Sequence, residues 1–193
     1  MHHFRRHVST TLAALLIGAL LPGCGELPKG DTSSPEALFY AVIQARHAGD
    51  SDALWRLLHP DTRRAFERWV EADNKTQRII RVEFPEKIQS DALKVLTVDK
   101  HPSGKALFST MVPPESSALE GLAVWGAYVR SVEQSGGNAT VRTWAGDGFR
   151  ARKSGDQWFA ILPEAIDTRL NASVEQAEKN LGDVRRLAER LKN

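Results

Sequence analysis

The chain has 193 residues and carries 26 Lys and Arg against 24 Asp and Glu. It is therefore close to neutral, and it has no basic run or arginine-rich stripe of the kind that binds nucleic acid. One cysteine excludes an internal disulfide, while five Trp, seven Phe and a 41% hydrophobic composition are enough for a packed core without covalent staples.

Residues 1–23 have the layout of a signal peptide. His2, His3, Arg5, Arg6 and His7 form a positive head. An apolar stretch over residues 11–20 follows, within the ~7–15 residues of a signal and short of the ~20 that span a bilayer. It ends in Leu21-Pro22-Gly23-Cys24, which resembles the bacterial lipobox, with Pro22 where Ala or Ser is more usual. The resemblance implies a diacylglyceryl thioether on Cys24, cleavage between Gly23 and Cys24, and an acyl chain such as palmitate on the freed amine. Gly25, where an Asp would imply retention at the inner membrane, implies the inner leaflet of the outer membrane, facing the periplasm. The alternative is an ordinary buried thiol beside a cleavable signal. With Arg5 and Arg6 removed, the mature chain of 170 residues balances 24 basic against 24 acidic side chains and suits one domain.

Residues 24–32 read as a lipidated tether. Ser33-Ser34-Pro35-Glu36 starts a helix, with Ser33 as N-cap and Glu36 completing a capping box. Leu38, Phe39, Val42 and Ile43 form its apolar stripe, and Gly49 ends it. Ser51 caps a second helix with Leu54, Trp55, Leu57 and Leu58, stopped by His59-Pro60. Asp61 or Thr62 caps a third, with Phe66, Trp69, Val70, Asp73 and Ile80 on one side. The pattern then weakens: residues 87–96 read as helix, 106–112 as strand or helix, and Pro113-Pro114 as a break.

Four β-rich runs follow at residues 128–134, 139–145, 149–153 and 157–162. The glycine turns between them are those of an antiparallel meander. Beyond Pro163, residues 163–193 are helical, with Leu170, Val174, Ala177, Leu181, Val184, Ala188 and Leu191 alternating by four and three along a narrow seam. That seam predicts docking onto the protein's own body, or onto a partner's helix.

Three helices, a variable middle and a meander closing on Gly155-Asp156-Gln157-Trp158-Phe159 resemble the nuclear transport factor 2-like (SnoaL-like) superfamily. Ser34-Pro35-Glu36-Ala37, Ala48-Gly49-Asp50 and Leu54-Trp55-Arg56-Leu57-Leu58 are similar to its bacterial lipoprotein members. Over residues 33–162 the resemblance implies an α+β fold. N-terminal helices would pack on a curved antiparallel sheet, forming a cone with a pocket, and the C-terminal amphipathic helix would be an addition.

No motif supplies chemistry. His47, His59 and His101 read as helix caps or loop, without the oriented partner that a general base needs. Neither catalytic residues, metal ligands nor a cofactor site are expected. If Gly136-Gly137 is a two-residue turn, Arg130 pairs with Thr143, and the other turns extend that row through Ala151 and Ala160. Tyr128 and Trp158 fall in neighbouring rows of the same apolar face. Arg130, Tyr128, Thr143 and Trp158 then line a pocket fitted to a carboxylate or other anion. A register slipped by one residue instead puts Arg130 outside with Arg142 and Arg152, where arginine stems cover Trp144 and Phe159 on a solvated face. The expected function is a membrane-anchored domain that binds a small ligand or an envelope protein without catalysis. The alternatives are a cone-shaped isomerase, dehydratase or hydrolase, and an assembly element acting through the C-terminal helix.

Overall fold

Short polar side chains set the helix starts. In the computed structural model, which describes residues 27–96, 101–112, 126–146 and 148–192, helix α1 spans Pro35–His47. Its N-cap is Ser34, whose Oγ accepts the Ala37 N–H at 3.1 Å. The expected cap, Ser33, is engaged elsewhere: its N–H and hydroxyl both donate to the Asp31 carboxylate. Helix α2 (Ser51–Leu57) is capped by Asp50 rather than Ser51. Helix α3 (Pro60–Glu83) is capped by His59, whose Nδ1 accepts the Asp61 N–H at 3.2 Å. Helix α4 spans Glu86–Val95 and α5 spans Gly104–Met111, which settles the strand-or-helix ambiguity there as helix. The predicted signal, Cys24, Gly23, Pro113-Pro114 and Asp147 lie outside the described residues.

Strands β1 (Val129–Ser135), β2 (Asn138–Thr143), β3 (Gly148–Ser154) and β4 (Gln157–Ile161) form an antiparallel sheet in sequential order. Helix α1 lies across one face. There Ala139, Ala151 and Ala160 stand opposite one another on adjacent strands, and Leu38 packs over Ala139, Ala151 and Trp158. The outer edge of β4 is partly covered: Trp158 N–H donates to Thr32 O, and His59 N–H to Ala160 O, each at 2.9 Å. Such pairing keeps a free strand edge from templating aggregation.

This geometry corrects the cone. The sheet is open, with four strands of five to seven residues, and neither closes nor curls around a cavity. The α+β class holds; the nuclear transport factor 2-like architecture does not. Nor does the alanine row leave a pocket on the α1 face. Small side chains in a row make room either for a ligand or for a helix to approach closely, and here Leu38 fills the space.

The segment before α1 is fastened to the body. Gly30 N–H donates to Gln44 Oε1 at 3.3 Å, and Gln44 Nε2 donates back to Pro28 O at 2.8 Å. A Cβ on Gly30 would lie 1.9 Å from the Ala41 backbone nitrogen, so only glycine lets the chain cross α1 this closely. Leu27 packs on the cluster of Phe39, Tyr40 and Val141, which also receives Val129 and Val132 of β1. Residues 27–32 are therefore part of the folded body rather than of a free tether.

The other half of the core is helical. Helix α6 (Glu164–Lys192) runs alongside α3 in the same direction: Leu170 shares a cluster with Phe66, Glu178 pairs with Arg68, Val184 and Ala188 pack with Ile80, and Lys192 reaches Glu83. The seam follows the predicted positions except at two points, Leu181 and Leu191, the latter 47% exposed at the helix end. Asn180 is buried where Leu181 was expected, because a straight helix of 3.6 residues per turn drifts off a 3.5-residue repeat. Asn180 is satisfied there by Leu96 O at 3.1 Å and Gln176 Nε2 at 2.7 Å. With α3 occupying the seam, the reading of α6 as an assembly element falls.

Candidate functional site

The four residues expected to line one pocket are not brought together around a cavity. Gly136-Gly137 makes the predicted two-residue turn, and the pairs Ser135–Asn138 to Ser131–Arg142 follow from it. Between Val129 and Ser131 the register shifts by one residue. This β-bulge places both Arg130 and Ser131 on the outer face, as an extra residue breaks the strict alternation of sides. Val129 N–H, displaced from the ladder, donates to the Tyr40 hydroxyl at 3.1 Å. Burial raises the Tyr40 pKa above its ordinary value, and this hydrogen bond partly opposes the shift.

Thr143 and Trp158 do face α1, at 3% and 7% exposure, while Tyr128 is half-buried beyond the start of β1. The β2–β3 pairing also differs from expectation. Ala151 stands opposite Ala139 rather than Thr143, while Trp144 and Ala145 donate to Tyr128 O and Gly126 O across the β1 side. With the cone gone and this face filled, the expected ligand-binding or catalytic cone is withdrawn.

The outer face has the more distinctive chemistry. The Arg130 guanidinium carbon lies 5.4 Å from the Trp144 ring centroid, a cation–π distance, and Trp144 is 66% exposed. Arg142 reaches Glu133 at 3.2 Å, and Arg152 Nε donates to Asn138 Oδ1 at 3.1 Å. Exposed Arg150 stands between Thr140 and Ile161, and half-buried Phe159 opposite Arg152. Glu133 is the one acidic residue among the four strands. The arginines are scattered in sequence, and the sheet collects them.

Three clefts border the helices, one of them where they meet the sheet. One of about 170 Å³ is lined by His59, Asp61, Arg152, Asp167 and Asn171 among others. A second, of about 420 Å³, lies between α3 and α6 and holds buried Asp73, whose carboxylate accepts from Trp69 Nε1 at 2.9 Å. A third of about 420 Å³ runs along α3 past Glu67, Glu71, Lys75 and Arg78 to Ser103. None is lined by Arg130, Tyr128, Thr143 or Trp158. Among the described residues no group of three or more His, Cys, Asp or Glu could hold a metal ion, and no helix is long and apolar enough to cross a membrane.

His59 is a structural histidine with a measurable signature. Its side chain is buried, its Nδ1 is an acceptor, and its edge meets Phe159 at 6.2 Å. Burial lowers its pKa from the ordinary 6.5; Asp61 opposes this, and Arg152, Arg64 and Arg63 reinforce it. The unfolded chain thus binds a proton that the folded chain refuses, so stability falls as pH drops below about 6.5, by at most about 1.4 kcal/mol per pH unit. His59→Asn keeps a capping acceptor and removes the titration. Urea denaturation between about pH 7 and 5 is expected to show a flatter profile for the variant; equal slopes would show that His59 carries none of the dependence.

No protein-family model matches the chain, and no curated protein or solved structure matches it either. The resemblance to nuclear transport factor 2-like lipoproteins is therefore supported neither by the fold nor by any relative.

Proposed function

We propose that the chain is exported and works at a membrane of the cell envelope, held there through Cys24, with its folded body lying directly on the bilayer. The layout of residues 1–24 supports the export and the anchor. The docked segment 27–32 carries the rest of the reading. With Leu27 packed on the cluster of Phe39, Tyr40 and Val141, only residues 25 and 26 separate Cys24 from the body. Three extended residues reach about 10 Å, so an acylated Cys24 keeps the domain at headgroup height. Two or more acyl chains make such anchoring stable, where one is marginal. The surface nearest the anchor then matters more than any interior cavity, in keeping with a helix-filled sheet face.

Intact-mass analysis of the membrane-extracted protein tests the reading. Cleavage after Gly23, a diacylglyceryl thioether on Cys24 and complete sedimentation with membranes are expected, and Cys24→Ala is expected to lose acylation. A mature protein that is soluble and begins before Cys24 overturns it.

A further inference from the structure

We infer that the cleft where the start of α3 meets the sheet binds a small α-amino acid, with the carboxylate held by His59, Thr62 and Arg152 and the ammonium by Asp167. The inference does not depend on the Cys24 anchor.

The floor of the cleft is the first argument. His59 and Thr62 line it, and they are 6% and 7% exposed. His59 Nδ1 accepts the Asp61 N–H, so the neutral ring carries its proton on Nε2. Among the described residues, neither that Nε2–H nor the Thr62 hydroxyl has a hydrogen-bond partner. Both atoms keep some contact with solvent, unlike the sealed Thr76 and Thr143 hydroxyls, so they open into the cleft their residues line. Buried polar side chains normally find their partners inside the protein. Two donors left open at the start of one helix suit an acceptor that arrives from outside. The positive end of the 24-residue α3 favours a negative group at the same place.

The rim decides the charge of the ligand. Arg152 lines it and pairs with no carboxylate among the described residues; its Nε donates to Asn138 Oδ1. The end of its guanidinium fork is therefore available to a ligand carboxylate. Two acidic residues share the rim. Asp61 is answered by Arg64 at 2.5 Å, whereas half-buried Asp167 makes no ion pair among the described residues. A simple anion would meet Asp167 as a like charge, which is costly. A ligand that carries an ammonium beside its carboxylate answers both poles.

Size is the third argument. The cleft measures about 170 Å³, room for about five or six groups the size of a water molecule. That is the size of glycine or alanine. A nucleotide or a sugar ring does not fit.

Calorimetric titration of the full-length protein in detergent micelles with glycine, L-alanine, acetate and methylammonium provides the test. Each charge-assisted hydrogen bond contributes about tenfold or more in affinity, so the two amino acids should bind at least about tenfold more tightly than acetate or methylammonium. The ring signals of His59 should move on addition of glycine. Thr62→Val removes a hydroxyl with no partner in the protein, so the melting temperature should hold or rise while affinity for glycine falls about tenfold. Arg152→Gln should weaken glycine and acetate alike. Asp167→Asn should bring glycine down to the level of acetate.

No heat and no movement of the His59 signals at glycine concentrations on the order of 10 mM would overturn the proposal. Acetate or inorganic phosphate bound as tightly as glycine makes the cleft a plain anion site, and the assignment of an amino acid falls. Glycine binding that is indifferent to both Thr62→Val and Asp167→Asn places the ligand elsewhere on the protein and overturns it as well.

Discussion

Deleting residues 171–193 is expected to abolish cooperative folding. Helix α6 is not an appendage: Val174, Ala177, Val184 and Ala188 are all buried, and on the α3 side they cover Val70, Ile80 and the adjoining Phe84. Exposing a buried Val, Ile or Phe costs about 1.5–3 kcal/mol. The two valines of α6 and the three partners around α3 together approach or exceed the roughly 5–15 kcal/mol by which a whole domain is stable. The ion pairs that flank the seam matter less. Arg68–Glu178 is bidentate but exposed, and such pairs contribute at most about 1 kcal/mol. Circular dichroism should show a truncated chain with reduced helicity and no sharp thermal transition. A transition at the temperature of the full chain would mean that α3 can leave its face bare, and that α6 serves something other than the fold.

The same seam shows what the sequence could carry. Its four-three spacing was legible because each step is local to one helix, and so was the Gly136-Gly137 turn, which sets five of the six β1–β2 pairs. The failures came where a residue's partner is distant. Ser33 is the exception, a local competition: Asp31, two residues before it, accepts its hydroxyl, and the cap moves by one residue. Nothing at Val129, Arg130 and Ser131 marks a bulge, for no glycine stands there; the signal is Tyr40, 89 residues away, which takes the freed Val129 N–H. Ala151 and Ala160 were legible as neighbours, but beside Thr143 rather than Ala139, and whether small residues leave a cavity or admit a helix depends on where Leu38 lands. The arginine face was legible only as the slipped-register alternative, with Arg130 outside beside Arg142 and Arg152; the shift between Val129 and Ser131 is what realises it.

Phe66→Ala is expected to be the most damaging single substitution in the core, at about 3–5 kcal/mol. Phe66 is fully buried, and its ring meets Trp55 at 6.0 Å and Phe108 at 5.7 Å, both edge to face. It lies where α2, α3, α5 and α6 converge, in one cluster with Leu54, Leu107, Phe108 and Leu170. The cost of such a truncation depends on whether the neighbours can close the cavity. Here the nearest helix has little room to move. At Gly104 the first turn of α5 already touches α3 so closely that a Cβ would lie 2.7 Å from Glu67 N and 2.8 Å from the Phe66 carbonyl carbon, and Gly104 N–H is held by Glu67 Oε2 at 3.1 Å. With backbone against backbone, α5 cannot slide inward to fill the lost ring, so the value should fall in the upper part of the range. In a domain of this size each kcal/mol lowers the melting temperature by about 2–4 °C, which places the variant about 10 °C or more below the natural protein. Phe66→Leu, which keeps most of the volume, should lose less than half as much. If the alanine variant melts within about 3 °C of the natural protein, less than about 1.5 kcal/mol has been lost. The cavity would then have collapsed, and the Gly104 contact would not be the rigid stop that its distances imply.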